Sequence, residues 1–299
     1  DAYERHVTRL AYKQERPFVI VGAGFAGARA AQILTNYGYD VLVLDKGTIP
    51  GGRSSTKRRE SGAYNHGCDA LDGELYADLS INELLEGTDV RCDTRITSIQ
   101  PNPDYVLLED EKGFTWEAEA VLLTCPIPQL HALMPDLAPT DWKEHPYISN
   151  WTLICTGASP VPIDLTNYKS DSIELMRRGI DDGESNVLIV QMANEWSKEH
   201  LEKSRDEVTE LIRQELQSAS QEWLESASFH AHRWRFSRPM SQPQTIDEDR
   251  LTFAGDAWAE PIGTVQAALK SAEQAALELI WKLHYAKKPE PISMQTTLF

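Results

Sequence analysis

The stretch that decides the fold consists of Phe18-Val-Ile-Val21, Gly22-Ala-Gly24-Phe-Ala-Gly27, Val41-Leu-Val-Leu44 and then Asp45. A short apolar run of strand type leads into the glycines, and a helical apolar pattern separates them from a second buried-strand run. Strand, helix and strand within so short a stretch form the βαβ unit of a parallel sheet. The sequence therefore predicts a doubly wound α/β domain.

The three glycines have the Gly-x-Gly-x-x-Gly spacing of a dinucleotide-binding turn. Gly22 permits the tight turn, Gly24 lets the backbone approach a pyrophosphate, and Gly27 lets the helix pack closely on the sheet. The helix N-terminus then presents free N–H groups and a partial positive charge. Asp45 lies 23 residues after Gly22, where an acid accepts hydrogen bonds from the adenosine ribose and disfavours a 2′-phosphate. The pattern alone does not distinguish FAD from NAD.

Composition narrows the classes of partner. With 29 Lys and Arg against 46 Asp and Glu, the chain of 299 residues has a formal charge of −17, which disfavours nucleic acid. No apolar run approaches the length of a membrane span, and residues 1–16 lack the apolar stretch of a signal peptide. We therefore expect a cytoplasmic protein, with polar tails at 1–15 and 286–299.

The cysteines and histidines give no metal signature. No Cys-x-x-Cys pair occurs among Cys68, Cys92, Cys125 and Cys155, so we expect free thiols and no zinc site. His230 and His232 point to one face if they lie on a strand, but no acid or Cys at suitable spacing completes a set of ligands.

Periodicity and turn residues predict the remaining elements. A capping box, Ser204-x-x-Glu207, starts a helix over 205–217, and apolar spacing predicts a long helix from Val265 to Leu283. Residues 49–69 are expected to be mostly loop. Further strands are predicted at 90–99, 105–108, 115–118, 121–124, 151–155, 187–192 and 250–254.

Two later segments carry a resemblance to a known family. Gly51-Gly52-Arg53 resembles the second glycine-rich element of the amine oxidase and renalase superfamily of flavoproteins, and 251–256 resembles its C-terminal flavin motif. The resemblance implies non-covalent FAD, with Asp256 at the ribityl or pyrophosphate region and the helix at Val265 pointing its N-terminus at the isoalloxazine. The residues expected to touch FAD are Gly22, Gly24, Gly27, Asp45, Lys46, Gly52, Arg53, Gly255, Asp256 and Val265.

Shorter matches resemble the renalase branch of that superfamily. They are Asn65-His66-Gly67, Pro126-Ile-Pro128-Gln129, Glu195-Trp196-Ser197, His232-Arg233-Trp234-Arg235 and the segment 263–271. The chain departs from the branch in its short stretch from Gly67 to Val90, in Asn65 in place of Asp, and in Ala272 in place of Gly. The substrate pocket is therefore expected to be reshaped or open.

The substrate-side candidates are His66, Trp196 and Trp234. His66 faces the flavin or, equally, is a loop histidine bonded to backbone. Trp196 and Trp234 wall an aromatic slot for a flat substrate or belong to the core. A flavin carries the redox chemistry itself, so no separate catalytic triad is required.

These features predict a discontinuous FAD-binding domain over 16–70, 88–138 and 245–285, and a smaller α+β substrate lobe over 71–87 and 139–244. The leading hypothesis is hydride transfer from a small, flat substrate, a dihydronicotinamide of NAD(P)H type among the candidates, to flavin N5, with O2 or another acceptor closing the cycle. The alternatives are an amine or amino-acid oxidase or desaturase of a biosynthetic pathway, and a non-catalytic flavin-binding partner subunit.

Overall fold

A computed structural model describes residues 14–67, 75–180, 184–219 and 222–285. Its centre is a five-stranded parallel sheet of β1 (Phe18–Val21), β2 (Val41–Leu44), β7 (Asp89–Arg91), β11 (Val121–Leu123) and β16 (Leu251–Phe253), in the order β16-β11-β1-β2-β7. The strands β1, β2 and β11 are buried along their whole length, which explains their continuous apolar runs. This confirms the predicted doubly wound α/β fold.

Helices cover one face of this sheet. They are α1 (Phe25–Asn36), α2 (Ile81–Leu84) and the long α7 (Val265–Tyr285), and their apolar side chains form one core with those of β1 and β2. Leu34 and Ala272 are fully buried there. Ile81 and Leu84 of α2 also belong to this core.

The opposite face is covered by a three-stranded antiparallel sheet and a short helix. These elements are β8 (Ile96–Pro101), β9 (Val106–Asp110), β10 (Thr115–Ala118) and α3 (Ile127–Leu133). Their core is shared with the other sides of β1, β2 and β11 and includes the buried Trp142. The five-stranded sheet is thus covered on both faces, as a parallel sheet requires.

The lobe is built on a four-stranded antiparallel sheet in the order β13-β14-β12-β15. Its strands are β12 (Tyr147–Thr156), β13 (Ile173–Arg178), β14 (Val187–Met192) and β15 (Ser228–Pro239). The helices α4 (Asn194–Glu199), α5 (Arg205–Glu215) and α6 (Glu222–Ser226) accompany it. The outer face of the sheet packs on these helices through a core that contains Trp151, Leu153 and Ile212.

The register of β12 and β15 determines which side chains face away from those helices. Asn150 pairs with Trp234, and Thr152 pairs with His232. Opposite residues of an antiparallel pair share a face, and side chains alternate along each strand. Trp234 and His232 therefore lie on the inner face, opposite the face of Trp151.

Several predicted elements are confirmed and two expectations are wrong. The capping box is present, since the Glu207 N–H donates to Ser204 Oγ at 3.3 Å and the Ser204 N–H donates to Glu207 Oε2 at 2.8 Å. The described part of the predicted loop, residues 49–67, is not mostly loop, because Thr56–Arg59 (β3) and Gly62–Asn65 (β4) form an antiparallel hairpin and Gly52–Ser54 forms a 3-10 helix. The predicted strand 90–99 is two strands, β7 and β8, separated where Asp93 adopts a φ of 51°.

A further short pair, β5 (Leu75–Tyr76) and β6 (Leu79–Ser80), precedes α2. The predictions for Cys68, for most of 1–15 and for the tail at 286–299 lie outside the described residues. Among the described cysteines, Cys92, Cys125 and Cys155 are free thiols.

Candidate functional site

Two of the three glycines after β1 are required by contacts within the chain. Gly22 has a φ of 108°, in the left-handed region that favours glycine. A Cβ at Gly22 would collide with Thr124 Oγ1, and a Cβ at Gly27 would collide with the Gly22 carbonyl oxygen. Gly22 thus makes the turn, and Gly27 lets α1 pack against it.

Gly24 has neither a positive φ nor a neighbour that would collide with a Cβ. Its φ of −78° suits any residue, and a Cβ there would meet only the Gly51 carbonyl oxygen, at an ordinary 3.7 Å. A Cβ at Gly52, whose φ is 56°, would have Gly24 Cα as its nearest neighbour at 4.0 Å. The two glycine-rich elements therefore lie in close contact at the N-terminus of α1, and few atoms of the described residues surround a Cβ placed at Gly24 or Gly52.

Asp45 connects the loop after β1 with the loop after β2. Its buried carboxylate accepts hydrogen bonds from the Ala23 N–H and the Gly47 N–H, each at 2.6 Å. A carboxylate offers about four lone-pair directions, so two backbone donors leave acceptor capacity for a ligand hydroxyl. The neighbouring Lys46 ammonium donates to Gln129 Oε1 at 3.3 Å.

Arg53 and Asp256 join the second glycine-rich element to the C-terminal motif. The guanidinium makes a bidentate pair with the Asp256 carboxylate at 2.7 and 2.8 Å and donates to the Ser237 carbonyl oxygen at 2.7 Å. Planar two-point pairing of this kind fixes both orientation and distance. Three segments that are distant in sequence, including β15 of the lobe, are thereby held together.

The loop after β16 is held by α7. Ser271 of α7 accepts a hydrogen bond from the Gly255 N–H at 2.9 Å, and the Gly263 N–H donates to the Asp256 carbonyl oxygen at 2.8 Å. Thr264 Oγ1 accepts from the Ala267 N–H at 3.1 Å, which caps the helix that begins at Val265. The predicted residues Gly255, Asp256 and Val265 thus belong to one braced segment.

His66 lies against the inner face of the lobe. The Trp234 indole N–H donates to the His66 carbonyl oxygen at 2.8 Å. The His66 ring lies 4.7 Å from the His232 ring and 5.3 Å from the Trp234 ring, between centroids. His66 is 6% exposed, and its Nδ1 has no hydrogen-bond partner within the described parts of the chain.

Burial and positive neighbours keep these two histidines neutral. Burial lowers the pKa of His66 to about 3, with further contributions from His232 and Lys57. Burial also lowers the pKa of His232 to about 4, with Arg205 as the next cause. At neutral pH both rings are uncharged, and each can donate through one nitrogen and accept through the other.

Asn65 anchors the segment that carries His66. Its side-chain amide donates to the Ser55 carbonyl oxygen at 3.0 Å, and its side-chain oxygen accepts from the Gly67 N–H at 3.0 Å. A Cβ at Gly67 would lie 2.7 Å from the Trp234 ring, so glycine is needed for the close approach of the two segments. Asn65, which replaces an expected Asp, thus makes the contacts that position His66.

The structure does not bring Trp196 together with His66 and Trp234. Trp196 lies in α4 and packs against the outer core of the lobe, where its ring contacts His200 at 4.3 Å. Ser197 in the same helix accepts from the Trp151 N–H at 3.0 Å, which holds α4 on the outer face. The third ring beside His66 and Trp234 is that of His232, which the sequence analysis did not select as a substrate-side residue. Its two-residue spacing from Trp234 on a strand could have indicated that both side chains lie on the same face.

No group of three or more potential metal ligands occurs among the residues described. Within the same residues, no helix is both long and apolar enough to cross a membrane.

Comparisons with known proteins agree with this geometry. The model of the NAD(P)-binding Rossmann-like domain matches residues 20–79, and the model of the flavin containing amine oxidoreductases matches residues 66–280. A solved structure from Exiguobacterium sp. 255-15, provisionally named protoporphyrinogen oxidase, is 14% identical with a TM-score of 0.65, over 91% of this chain and 100% of that one. That likeness shows the shared fold. Because the second family model spans well over half of the sequence, the chain belongs to the flavin containing amine oxidoreductase family, whose members are flavin-dependent oxidoreductases.

Proposed function

We propose that this oxidoreductase binds FAD non-covalently beside Gly24 and Gly52. The observation that carries the proposal is the glycine at position 24, which no close contact with the described residues and no backbone angle requires. A dinucleotide pyrophosphate explains it, because its oxygens approach the backbone only where no side chain intervenes. The N–H groups at the start of α1 then point at the phosphates.

The other proposed contacts come from the segments around these two glycines. Asp45 has acceptor capacity left for the ribose hydroxyls. Arg53 and Asp256 pair with each other, so they present a nearly neutral polar surface to the cofactor. The N-terminus of α7 at Val265 favours negative charge on a nearby ring. The full proposed set is Gly22, Gly24, Gly27, Asp45, Lys46, Gly52, Arg53, Gly255, Asp256 and Val265.

We assign the substrate to the inner face of the lobe, next to His66. His232 and Trp234 give this face flat, mostly apolar surfaces, with ring centroids 4.4 Å apart. Such surfaces suit a small planar organic substrate. FAD, when bound, supplies a two-electron acceptor for the oxidation of that substrate, and O2 or another acceptor completes the turnover.

His66 is proposed to bind the substrate through Nδ1. The ring is neutral, buried and without a partner at that atom within the described residues. Because a pKa of about 3 makes the ring a weak base, the role proposed for Nδ1 is to accept a hydrogen bond from a polar N–H of the substrate. A dihydronicotinamide, as in the renalase branch, and an uncharged amine both satisfy this arrangement.

Anaerobic reduction of the flavin-loaded protein tests the proposal. Dihydronicotinamide isomers and a panel of amines are added separately, and loss of the visible flavin absorption is followed. Rapid bleaching by dihydronicotinamides, with recovery in air, supports the renalase-like reaction, and bleaching by amines alone assigns the chain to amine oxidation. A flavin that neither class reduces contradicts the catalytic proposal and favours a binding role.

A variant pair tests the assignment of His66. His66→Asn is expected to slow bleaching about tenfold, the effect of losing one hydrogen bond of about 1.4 kcal/mol. The control is His284→Asn, at the far end of α7 beside Tyr39, and it should bleach at the parental rate. Equal rates in the two variants would remove His66 from the reaction.

A further inference from the structure

A cavity lies on the outer face of the lobe, on the side of its sheet away from His66. Its volume is about 420 Å³, and its walls come from α4, from the C-terminal part of α5 and from the segment before β13. This volume is within the range of small-molecule sites. Nothing in the proposed flavin chemistry uses it, and it accounts for the position of Trp196.

Three of the wall residues carry aromatic rings. Trp196 and His200 stand one turn apart at α4 and meet edge to face, with their centroids 4.3 Å apart. The Tyr168 hydroxyl donates to the Glu215 carbonyl oxygen at 3.1 Å, which holds the third ring at the end of α5. Aromatic faces attract cations through the ring quadrupole.

The charge at the cavity is negative. Glu215 lines it, and its carboxylate forms no ion pair with the described residues, whereas Glu210 one turn earlier pairs with Arg213 at 3.2 Å. Glu215 is also the last residue of α5, where the helix carries its partial negative charge. No Lys or Arg is among the described residues of the wall.

Two polar atoms of the wall residues are left without partners. Ser170 Oγ and His200 Nδ1 are buried and make no hydrogen bond within the described residues. Leaving buried polar groups unpaired costs free energy, so a rotation of either side chain towards the cavity, where it could pair with a hydroxyl of the occupant, would recover that cost.

We propose that this cavity binds a small organic cation of the tertiary or quaternary ammonium class. The aromatic rings of Trp196 and Tyr168 contact the alkyl ammonium group, and Glu215 balances its charge. The overall charge of −17 raises the local concentration of such cations. This site is independent of the flavin site and of the reaction there.

Titration calorimetry on the FAD-loaded protein tests the site, with choline as the cation and dimethylbutanol as its uncharged isostere. We expect choline to bind at least about tenfold more tightly than the alcohol, equivalent to ~1.4 kcal/mol. Glu215→Gln should weaken choline at least fivefold, and the matched Glu210→Gln should leave it unchanged. Trp196→Leu should abolish binding, with circular dichroism confirming its fold.

Three results would overturn the site. They are no heat of binding with choline, equal affinities for choline and its isostere, and equal losses in the two Glu variants.

Discussion

Replacing Arg53 by Ala should destabilise the protein much more than replacing Arg235 by Ala. Both guanidinium groups make bidentate carboxylate pairs, with distances of 2.7 and 2.8 Å to Asp256 and of 2.6 and 2.9 Å to Glu202. They differ in burial, because the side chain of Asp256 is 11% exposed and that of Glu202 is 75% exposed. Arg53→Ala therefore leaves a buried carboxylate without its partner.

The difference in burial determines how much unfolding free energy each substitution removes. Breaking a buried pair costs about 3–5 kcal/mol, and since Arg53 itself is one-third exposed, solvent reduces this to about 2–3 kcal/mol. The Arg235 pair contributes little to stability, because solvent screens its exposed carboxylate. At about 2–4 °C per kcal/mol, Arg53→Ala should lower Tm by about 4–12 °C, and Arg235→Ala should lower it by much less.

Urea unfolding and thermal melting of both variants, in protein stripped of flavin, measure this difference without a contribution from cofactor loss. Equal losses of unfolding free energy in Arg53→Ala and Arg235→Ala would refute the reasoning, because geometry without burial would then account for both pairs.

Three further predictions concern other parts of the chain. Ser204→Ala removes the cap of α5 and should cost about 1 kcal/mol in urea unfolding, and an unchanged midpoint would contradict the capping role. Burial raises the pKa of the Cys155 thiol, so iodoacetamide at mild alkaline pH should label it only after unfolding, and labelling of the native protein would show that it is accessible. Because the folded-state pKa of His66 is lowered to about 3, its stabilising contribution is complete above pH 6.5 and is lost as pH falls towards 3. Between pH 6.5 and 5 the unfolding free energy should drop by up to about 1.4 kcal/mol per unit from this group, and His66→Asn should show a shallower slope.

The βαβ unit that carries the first glycine-rich turn was largely predictable from the sequence. Its signals are local, because β1, the glycines and Asp45 follow one another within one βαβ unit, and each has a fixed place in that unit. The Arg53–Asp256 pair was not predicted as a contact. The resemblance marked both residues, but nothing in a linear sequence shows that their side chains meet.

The hairpin of β3 and β4 was not predicted because its sequence does not alternate between apolar and polar residues. Thr56 is buried, while Arg58 and Arg59 are exposed, so the segment has the composition of a polar loop. Its strand character comes from pairing with β4, and Gly62 at the turn has a φ of 126°. Tertiary pairing of this kind overrides local composition.

The apolar periodicity of a helix does not show which face of a sheet the helix covers. The Trp196-Ser197 pair predicted a residue near the substrate, but it did not indicate which face of the lobe sheet that residue lies on. The side is determined by α4 following β14 on the outer face, where Ser197 accepts from the Trp151 N–H. Trp234 lies on β15, and its inward direction follows from its pairing with Asn150.

The most direct test of FAD binding at Gly24 is the flavin content of the purified chain and of Gly24→Val, each measured after incubation with FAD and gel filtration. We predict about one FAD per parental chain and almost none in the variant, because a side chain at position 24 keeps the pyrophosphate away from the backbone. Circular dichroism and the flavin-free Tm should match, because the one described atom that a Cβ at Gly24 meets within 4 Å is the Gly51 carbonyl oxygen, at an ordinary 3.7 Å. A parental chain that retains no FAD, or a Gly24→Val chain that retains it equally, would contradict the proposal.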